Sequence, residues 1–250
     1  MTDTPPPHAT TPPPPPPAPP PPPPASTRPG CNDSVARAVY TDQIRGVGTY
    51  YNASGVQRRG TRSRFYYNKA FYDWCGVWVD NLSDRSALGR PHSISTLGTW
   101  VNRNDGCRSQ HNYGTALDLS GLWWANRTWI ADNYESDKRF YMGVAATCNQ
   151  FFKYSLDWNY NSAHHNHIHF DKSIKPSEFT TNSASQVKFV QASINNVWGE
   201  AVTIDGVWGP QTAAAVRRVL DRTGDDGDLT DWQSWQGYCD RTARRGMQGG

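Results

Sequence analysis

His164-His165-Asn166-His167-Ile168-His169-Phe170-Asp171 places four imidazoles within six positions, and Ser109-Gln110-His111-Asn112-Tyr113-Gly114-Thr115-Ala116-Leu117-Asp118 lies upstream of it. Five of the seven histidines in the 250-residue chain fall in these two stretches. Imidazole is the commonest ligand for borderline metals, and a catalytic zinc takes three protein ligands while keeping one position for water. On a single helix, His111 and Asp118 would be separated by roughly 10 Å of rise, too far for both to reach one ion at about 2 Å. The chain must therefore fold back between them. Gly114 supplies the bend, and Thr115-Ala116-Leu117-Asp118-Leu119 reads as a short strand. If the second stretch is extended, His165, His167 and His169 share one face, and His164 falls on the other face or in the preceding turn. Two such imidazoles can hold a metal, or one can hold it while the other serves a substrate. His8 and His92 stand outside both stretches and read as ordinary surface or hydrogen-bonded histidines.

Working outward, Met142, Val144, Ala145, Cys148, Phe151 and Phe152 recur at the spacing of a buried helix over Tyr141 to Phe152. Trp158 to Phe170 then leads through a turn into the His-x-His strand. Helix and strand compete over Phe65 to Val79, which is rich in aromatic and β-branched residues. Ser34 to Tyr40 is expected to open a helix capped by Asn32, Asp33 or Ser34. The expected fold is α+β: a small antiparallel sheet carrying the metal, with flanking helices, over residues 31–180. A small C-terminal three-helix module is expected over residues 186–240. Residues 1–30 hold 16 of the 19 prolines and read as a solvated, semi-rigid polyproline spacer. That start shows no basic region followed by an apolar run, so neither a signal peptide nor a membrane-spanning segment is expected.

A net charge of +3 and a pI near 8.6 suit adhesion to anionic polymers and are too mild to argue for nucleic acid. Cys31, Cys75, Cys107, Cys148 and Cys239 show no C-x-x-C spacing, so disulfides in an oxidising compartment are expected, with one cysteine left over. Four Asn-x-Ser/Thr sequons, at Asn32, Asn52, Asn81 and Asn126, matter only in a eukaryotic secretory pathway.

Ser109-x-His111-x-x-Gly114-x-Ala116-x-Asp118, Ala146-Thr147-Cys148-x-x-Phe151 and Asn159-Tyr160-Asn161-x-x-His164-x-Asn166-His167-x-His169-x-Asp171 together resemble the extensin-like C-terminal domain family. The family stands among the zinc D-Ala-D-Ala peptidases and lysostaphin-type enzymes, which cut peptidoglycan peptides. The resemblance is good from Leu97 to Asp171 and poor from Cys31 to Thr96. It implies that His111, Asp118 and His169 are the zinc ligands and that His167 faces the scissile carbonyl. Three residues before the last ligand the family usually carries an acid, where this chain has Asn166. A carboxamide orients water but does not accept its proton, so the base role passes to His167 or His164, or activity is weakened. His165 is a spare candidate, and Asp171 a partner that orients a ring. Arg103 falls where the family often has aromatic-x-Cys-Arg and is expected to grip a substrate carboxylate, with Arg108 as a nearby alternative.

Val187-x-x-Val190-Gln191-x-x-Ile194-Asn195 followed by Ile204-Asp205-Gly206-Val207-Trp208-Gly209-Pro210-Gln211-Thr212-x-x-Ala215-Val216 resembles the peptidoglycan-binding-domain-1-like module. Gly206, Gly209 and Pro210 read as a turn, Thr212 as a helix cap, and Ala213 to Leu220 as an apolar helix face. Leu229 to Cys239 supplies a third helix with Trp232, Trp235 and Tyr238 as aromatic platforms. The two resemblances imply an extracytoplasmic, monomeric zinc metallopeptidase that cuts peptidoglycan beside a D-amino acid. The alternatives are a non-catalytic wall-binding or scaffold protein with a degenerate zinc site, and a phage-delivered endolysin with the same chemistry.

Overall fold

The computed structural model describes residues 38–52, 58–101, 108–171 and 175–248. Two antiparallel neighbours, β7 (Ala116–Trp123) and β10 (Ile168–Asp171), set His169 directly opposite Asp118. They belong to a sheet ordered β2 (Gln43–Ile44), β3 (Val47–Tyr51), β6 (Ser93–Thr96), β7, β10 and β9 (Tyr154–Leu156). The short strands β4 (Thr61–Arg62) and β8 (Thr128–Ile130) pair beside β3 and β7. The sheet is mixed rather than antiparallel throughout, because β3 and β6 run parallel. A parallel return needs a long crossover, and the chain between those strands contains the 17-residue helix α1 (Lys69–Arg85).

Of the helix expected at Ser34 to Tyr40, the described part, 38–40, is a strand. β1 (Ala38–Thr41) pairs with β5 (Phe65–Asn68), and the Tyr40 and Tyr66 rings stack at 4.3 Å. This cross-strand contact favours the extended form over a helix of marginal length. The caps proposed at Asn32, Asp33 and Ser34, like the proline-rich segment 1–30, lie outside the described residues. Within Phe65 to Val79 the competition is settled at Asn68. Its side-chain oxygen accepts hydrogen bonds from the amides of Ala70 and Phe71, ending the strand and starting α1.

α1 buries Phe71, Cys75, Trp78, Val79 and Leu82, a stripe at helical spacing. α2 (Lys138–Phe151) is buried at every position from Phe140 to Phe151, since other elements cover it on all sides. Trp78 and Phe152 pack on Phe170 of β10 at 5.0 and 4.1 Å between ring centroids, and Trp78 Nε1 donates to Thr147 Oγ1 at 3.0 Å. The helices thus brace the strand that carries His169.

The C-terminal part forms α3 (Ala184–Asn196), α4 (Pro210–Arg222) and α5 (Trp232–Met247). Thr212 is not the cap. Gly209 is, with Pro210 at the first helical position, where its missing amide costs nothing. Thr212 is instead buried and accepts a hydrogen bond from Gln191 Nε2. Gln191 plugs the turn before α4: its Oε1 accepts from the amides of Asp205 and Gly206, and its Nε2 also donates to Asp205 Oδ1 and Val207 O. Trp235 and Tyr238 are buried as core residues rather than platforms, whereas Trp232 is 48% exposed.

These helices share one hydrophobic core with the sheet region. α5 crosses α2 at Gly143 and Gly246, Trp235 Nε1 donates to Ser177 Oγ at 2.8 Å, and Arg85 of α1 pairs with Asp240 at 2.6 Å. Cys75, Cys148 and Cys239 are free and buried, so the expected disulfides do not involve them; they pack as small apolar side chains, and burial raises each thiol pKa. Cys31 and Cys107 lie outside the described residues. Among the described residues no helix is long and apolar enough to cross a membrane.

A Cβ at Gly246 would sit 2.7 Å from Gly143 Cα, a backbone atom that cannot swing away. Gly246→Ala is therefore expected to destabilise the fold by about 1–3 kcal/mol, read as a lower urea midpoint by tryptophan fluorescence. An unchanged midpoint would mean the helices do not cross this closely.

Candidate metal centre

The β7–β10 register brings Asp118 and His169 together, and the loop before β7 delivers the third group. His111 sits in a 3₁₀ turn, Gln110–Tyr113, whose amide at His111 donates to Ser109 Oγ. Gly114 closes the turn at φ +64°, and a Cβ there would lie 2.9 Å from the Asn68 amide nitrogen, which donates to Gly114 O. Glycine is thus required twice over, for backbone angle and for close approach.

His111 Nε2 lies 3.2 Å from Asp118 Oδ1 and 3.2 Å from His169 Nδ1, and His169 Nδ1 lies 2.8 Å from Asp118 Oδ1. Ligand atoms about 2.0–2.1 Å from a tetrahedral zinc stand roughly 3.4 Å apart, so the triangle has the size such an ion requires. Two imidazoles and one carboxylate suit zinc chemically. The far ring nitrogens are also anchored. His111 Nδ1 donates to Thr99 O at 2.9 Å, and His169 Nε2 to Asp171 Oδ2 at 2.9 Å. Since a backbone carbonyl only accepts, the Thr99 contact places a proton on His111 Nδ1 and leaves Nε2 as the nitrogen that faces Asp118 and would ligate a cation.

Burial opposes charge on His169, but hydrogen bonds to Asp118 and Asp171 outweigh it and push the pKa up to about 9. Burial likewise opposes ionisation of Asp118, yet hydrogen bonds from His111 and His169 hold its carboxyl well below the usual range. The metal-free cluster is therefore held by a His169–Asp118 ion pair, and a cation bound there would take the place of the shared proton.

His167 stands just before β10, with Nδ1 2.8 Å from Asn166 Oδ1 and Nε2 3.6 Å from Asp118 Oδ1. Burial lowers its pKa. His164 ends a 3₁₀ turn, Ser162–His164; its ring is 5.1 Å from that of His167 and 6.1 Å from that of His169. Burial, with help from His167 and His169, pushes its pKa down to about 4. His165 does not share the face expected for it. The strand begins only at Ile168, and the preceding turn leaves His165 exposed, 3.8 Å from Asp132. Arg103 lies outside the described residues, and Arg108 is exposed at the edge of that gap.

Two contributors escaped the sequence reading. The Thr99 carbonyl is backbone and carries no residue-type signal. Asn161, whose Oδ1 caps Ala163 N and meets His164 Nδ1 at 2.7 Å, stands in the motif of the resemblance but has no role assigned to it there. Behind them the loop from Asp157 is anchored to the C-terminal helices, since Lys188 of α3 donates to Tyr160 O at 3.1 Å. Trp158 stacks on Tyr134 at 4.6 Å, and buried Asp157 accepts the Asn159 amide at 2.8 Å.

A family profile described as Extensin-like protein C-terminus matches residues 63–181, a span that contains every residue of this cluster. Neither the curated proteins nor the solved structures yield a match.

His169→Ala and Asp118→Ala are each expected to abolish zinc retention after dialysis, measured by atomic absorption. Asp171→Asn should weaken zinc affinity by about 10–100-fold, because it loosens the ring without removing a ligand. Stoichiometric zinc in both alanine variants would refute the ligand set.

Burial pushes the Asp157 pKa up to about 6, against the opposing hydrogen bonds of Asn159 and the charge of Lys188. A raised carboxyl binds more protons folded than unfolded, so its contribution falls as pH rises from about 4 to about 6 and stays low above that. Asp157→Asn keeps the Oδ1 acceptor and should be more stable than the parent at pH 7.5, by up to about 3 kcal/mol, with the gain vanishing near pH 4. Urea unfolding at both pH values checks this; an equal difference at each would place the effect elsewhere.

Proposed function

We propose that the protein is a zinc-dependent peptidase acting outside the cytoplasm on bacterial peptidoglycan, cutting a peptide bond beside a D-amino acid. The observation that carries this reading is the convergence of His111, Asp118 and His169 with two further imidazoles, His167 and His164, at one edge of the cluster. The choice of peptidoglycan rests on the sequence likeness in residues 63–181 and on the module-like pattern in residues 186–240. A zinc ion held by the three ligands supplies a Lewis acid for the scissile carbonyl and lowers the pKa of water toward about 7.

The chain's own groups then handle the proton. Asn166 cannot accept it, and its Oδ1 instead accepts a hydrogen bond from His167 Nδ1–H, leaving Nε2 with a lone pair on the side of Asp118. His167 is thereby fitted to take the proton of the attacking water and return it to the leaving amine, with His164 beside it as a second neutral ring. Asn166 is better assigned to orienting His167 than to holding substrate. A grip on a substrate carboxylate by Arg103 remains part of the proposal, as does wall anchoring through residues 186–240. The same chemistry delivered as a phage endolysin fits equally.

The rival reading is a wall-binding protein without catalysis, which the amide at position 166 favours. Release of new amino groups from purified peptidoglycan separates the two, using zinc-loaded and chelator-stripped protein with His167→Gln and Asn166→Asp variants. Zinc-dependent release that drops at least about 100-fold in His167→Gln is the expected result. No release by the parent, with wall binding intact and activity appearing in Asn166→Asp, would establish the rival.

A further inference from the structure

A second polar centre lies far along the chain from the histidines. Where the loop after α3 meets the C-terminal ends of α4 and α5, a cavity of about 410 Å³ is lined by Trp198, Arg222, Arg241, Arg244 and Arg245 together with Thr223 and Gln248. Its size is that of a small-ligand site. Among the described residues no carboxylate lines it.

The arginines are held from behind. Arg222 Nη2 donates to Glu200 at 2.7 Å, Arg241 Nη2 to Asp225 at 2.6 Å, and Arg244 Nε to Asp240 at 2.9 Å. Glu200 also serves Arg218, and Asp240 also serves Arg85, so positive charge is in excess over these three carboxylates. Arg245 has no carboxylate among the described residues. Its Nε donates to Val197 O at 2.9 Å, and its guanidinium lies over the Trp198 ring at 5.1 Å. The Trp198 ring is itself fixed by its Nε1 bond to Thr242 Oγ1 at 3.0 Å. Arg241 Nε is buried and has no partner among the described residues.

Basic residues in the last turn of a helix complement its dipole, which accounts for Arg222, Arg244 and Arg245 standing where they do. It does not account for four arginines lining one cavity while their acceptors, which include Trp198 O for Arg222 and Asp84 O for Arg244, take up only some of their donors. An arginine offers five N–H donors in a planar fork, and the carboxylates behind these side chains occupy only part of each fork. Pre-oriented forks of this kind match the oxygens of a phosphate group.

We propose that this cavity is a binding site for a phosphate-bearing anion, independent of the metal cluster, with Arg222 and Arg245 as its principal contacts. The phosphate is either that of a small soluble compound or one borne on a polymer. The full chain is titrated calorimetrically at constant ionic strength, once with inorganic pyrophosphate and once with a glycerol-phosphate polymer, against chloride. Saturable binding of either probe, weakened at least about tenfold in Arg222→Gln/Arg245→Gln and unchanged in Arg218→Gln, is expected; the arm that binds identifies the source. Arg245→Lys keeps the charge and loses the fork, so it is expected to bind several-fold more weakly, and it decides the matter if the double variant loses its cooperative melt. Absence of saturable binding in both arms, or equal binding by the parent and the Arg245 variants, would overturn the proposal.

Discussion

The cross-strand pairing of His169 with Asp118 is the constraint on which the rest of the site depends. Side chains alternate faces along a strand, so a slip of one residue between β7 and β10 would send His169 and Asp118 to opposite faces. The register is held by apolar neighbours on the other face. Leu117, Leu119, Ile168 and Phe170 are fully buried, and Phe170 is clamped by Trp78 and Phe152. Packing on one face of the sheet thus fixes a charged arrangement on the other. A buried ion pair contributes little net stability by itself, since desolvation offsets the attraction. The aromatic clamp supplies the stability, and the polar face is free to be chosen for chemistry.

The C-terminal helices take part in this arrangement. α5 completes the burial of α2, which lies next to α1 and so beneath the clamp, while α3 reaches the histidine loop directly through Lys188. His164 owes its place to Asn161 and to the loop from Asp157, and that loop is tied to α3. The sheet region alone would leave both helix and loop without one of their walls.

Much of the site was legible because metal chemistry constrains residue type and spacing together. His-x6-Asp and the histidine-rich stretch marked the two segments, and Gly114 followed from the need to fold back, while the choice of His169 among the four neighbouring imidazoles came from the family resemblance. The buried helix over Tyr141 to Phe152 followed from its apolar period, with a start three residues earlier because the Asp137 side chain caps it. Illegible parts depended on partners remote in sequence. Tyr40 chose a strand because Tyr66 was waiting to stack on it, and β3 and β6 ran parallel because α1 lay between them. His165 was misplaced because the strand was extended too far back, across a turn that Asn161 had already claimed.

The pattern in residues 204–212 carries a different lesson. It resembles a wall-binding module, yet Gln191 bonds Asp205, Gly206, Val207 and Thr212 at once. Motif and partner form a hydrogen-bonded network that shapes the entry to α4, with Asp205 Oδ1 engaged although the residue is exposed. Hydrogen-bonding groups already paired inside a fold have little left to offer a ligand. Recognition by this region would then have to use what the network leaves outside, such as Val207, 63% exposed at the tip of the turn, or the arginines at the opposite end of α4. The residues that carry the likeness in sequence are in this case ones that shape the fold, as the bonds from Gln191 to Asp205, Gly206, Val207 and Thr212 show.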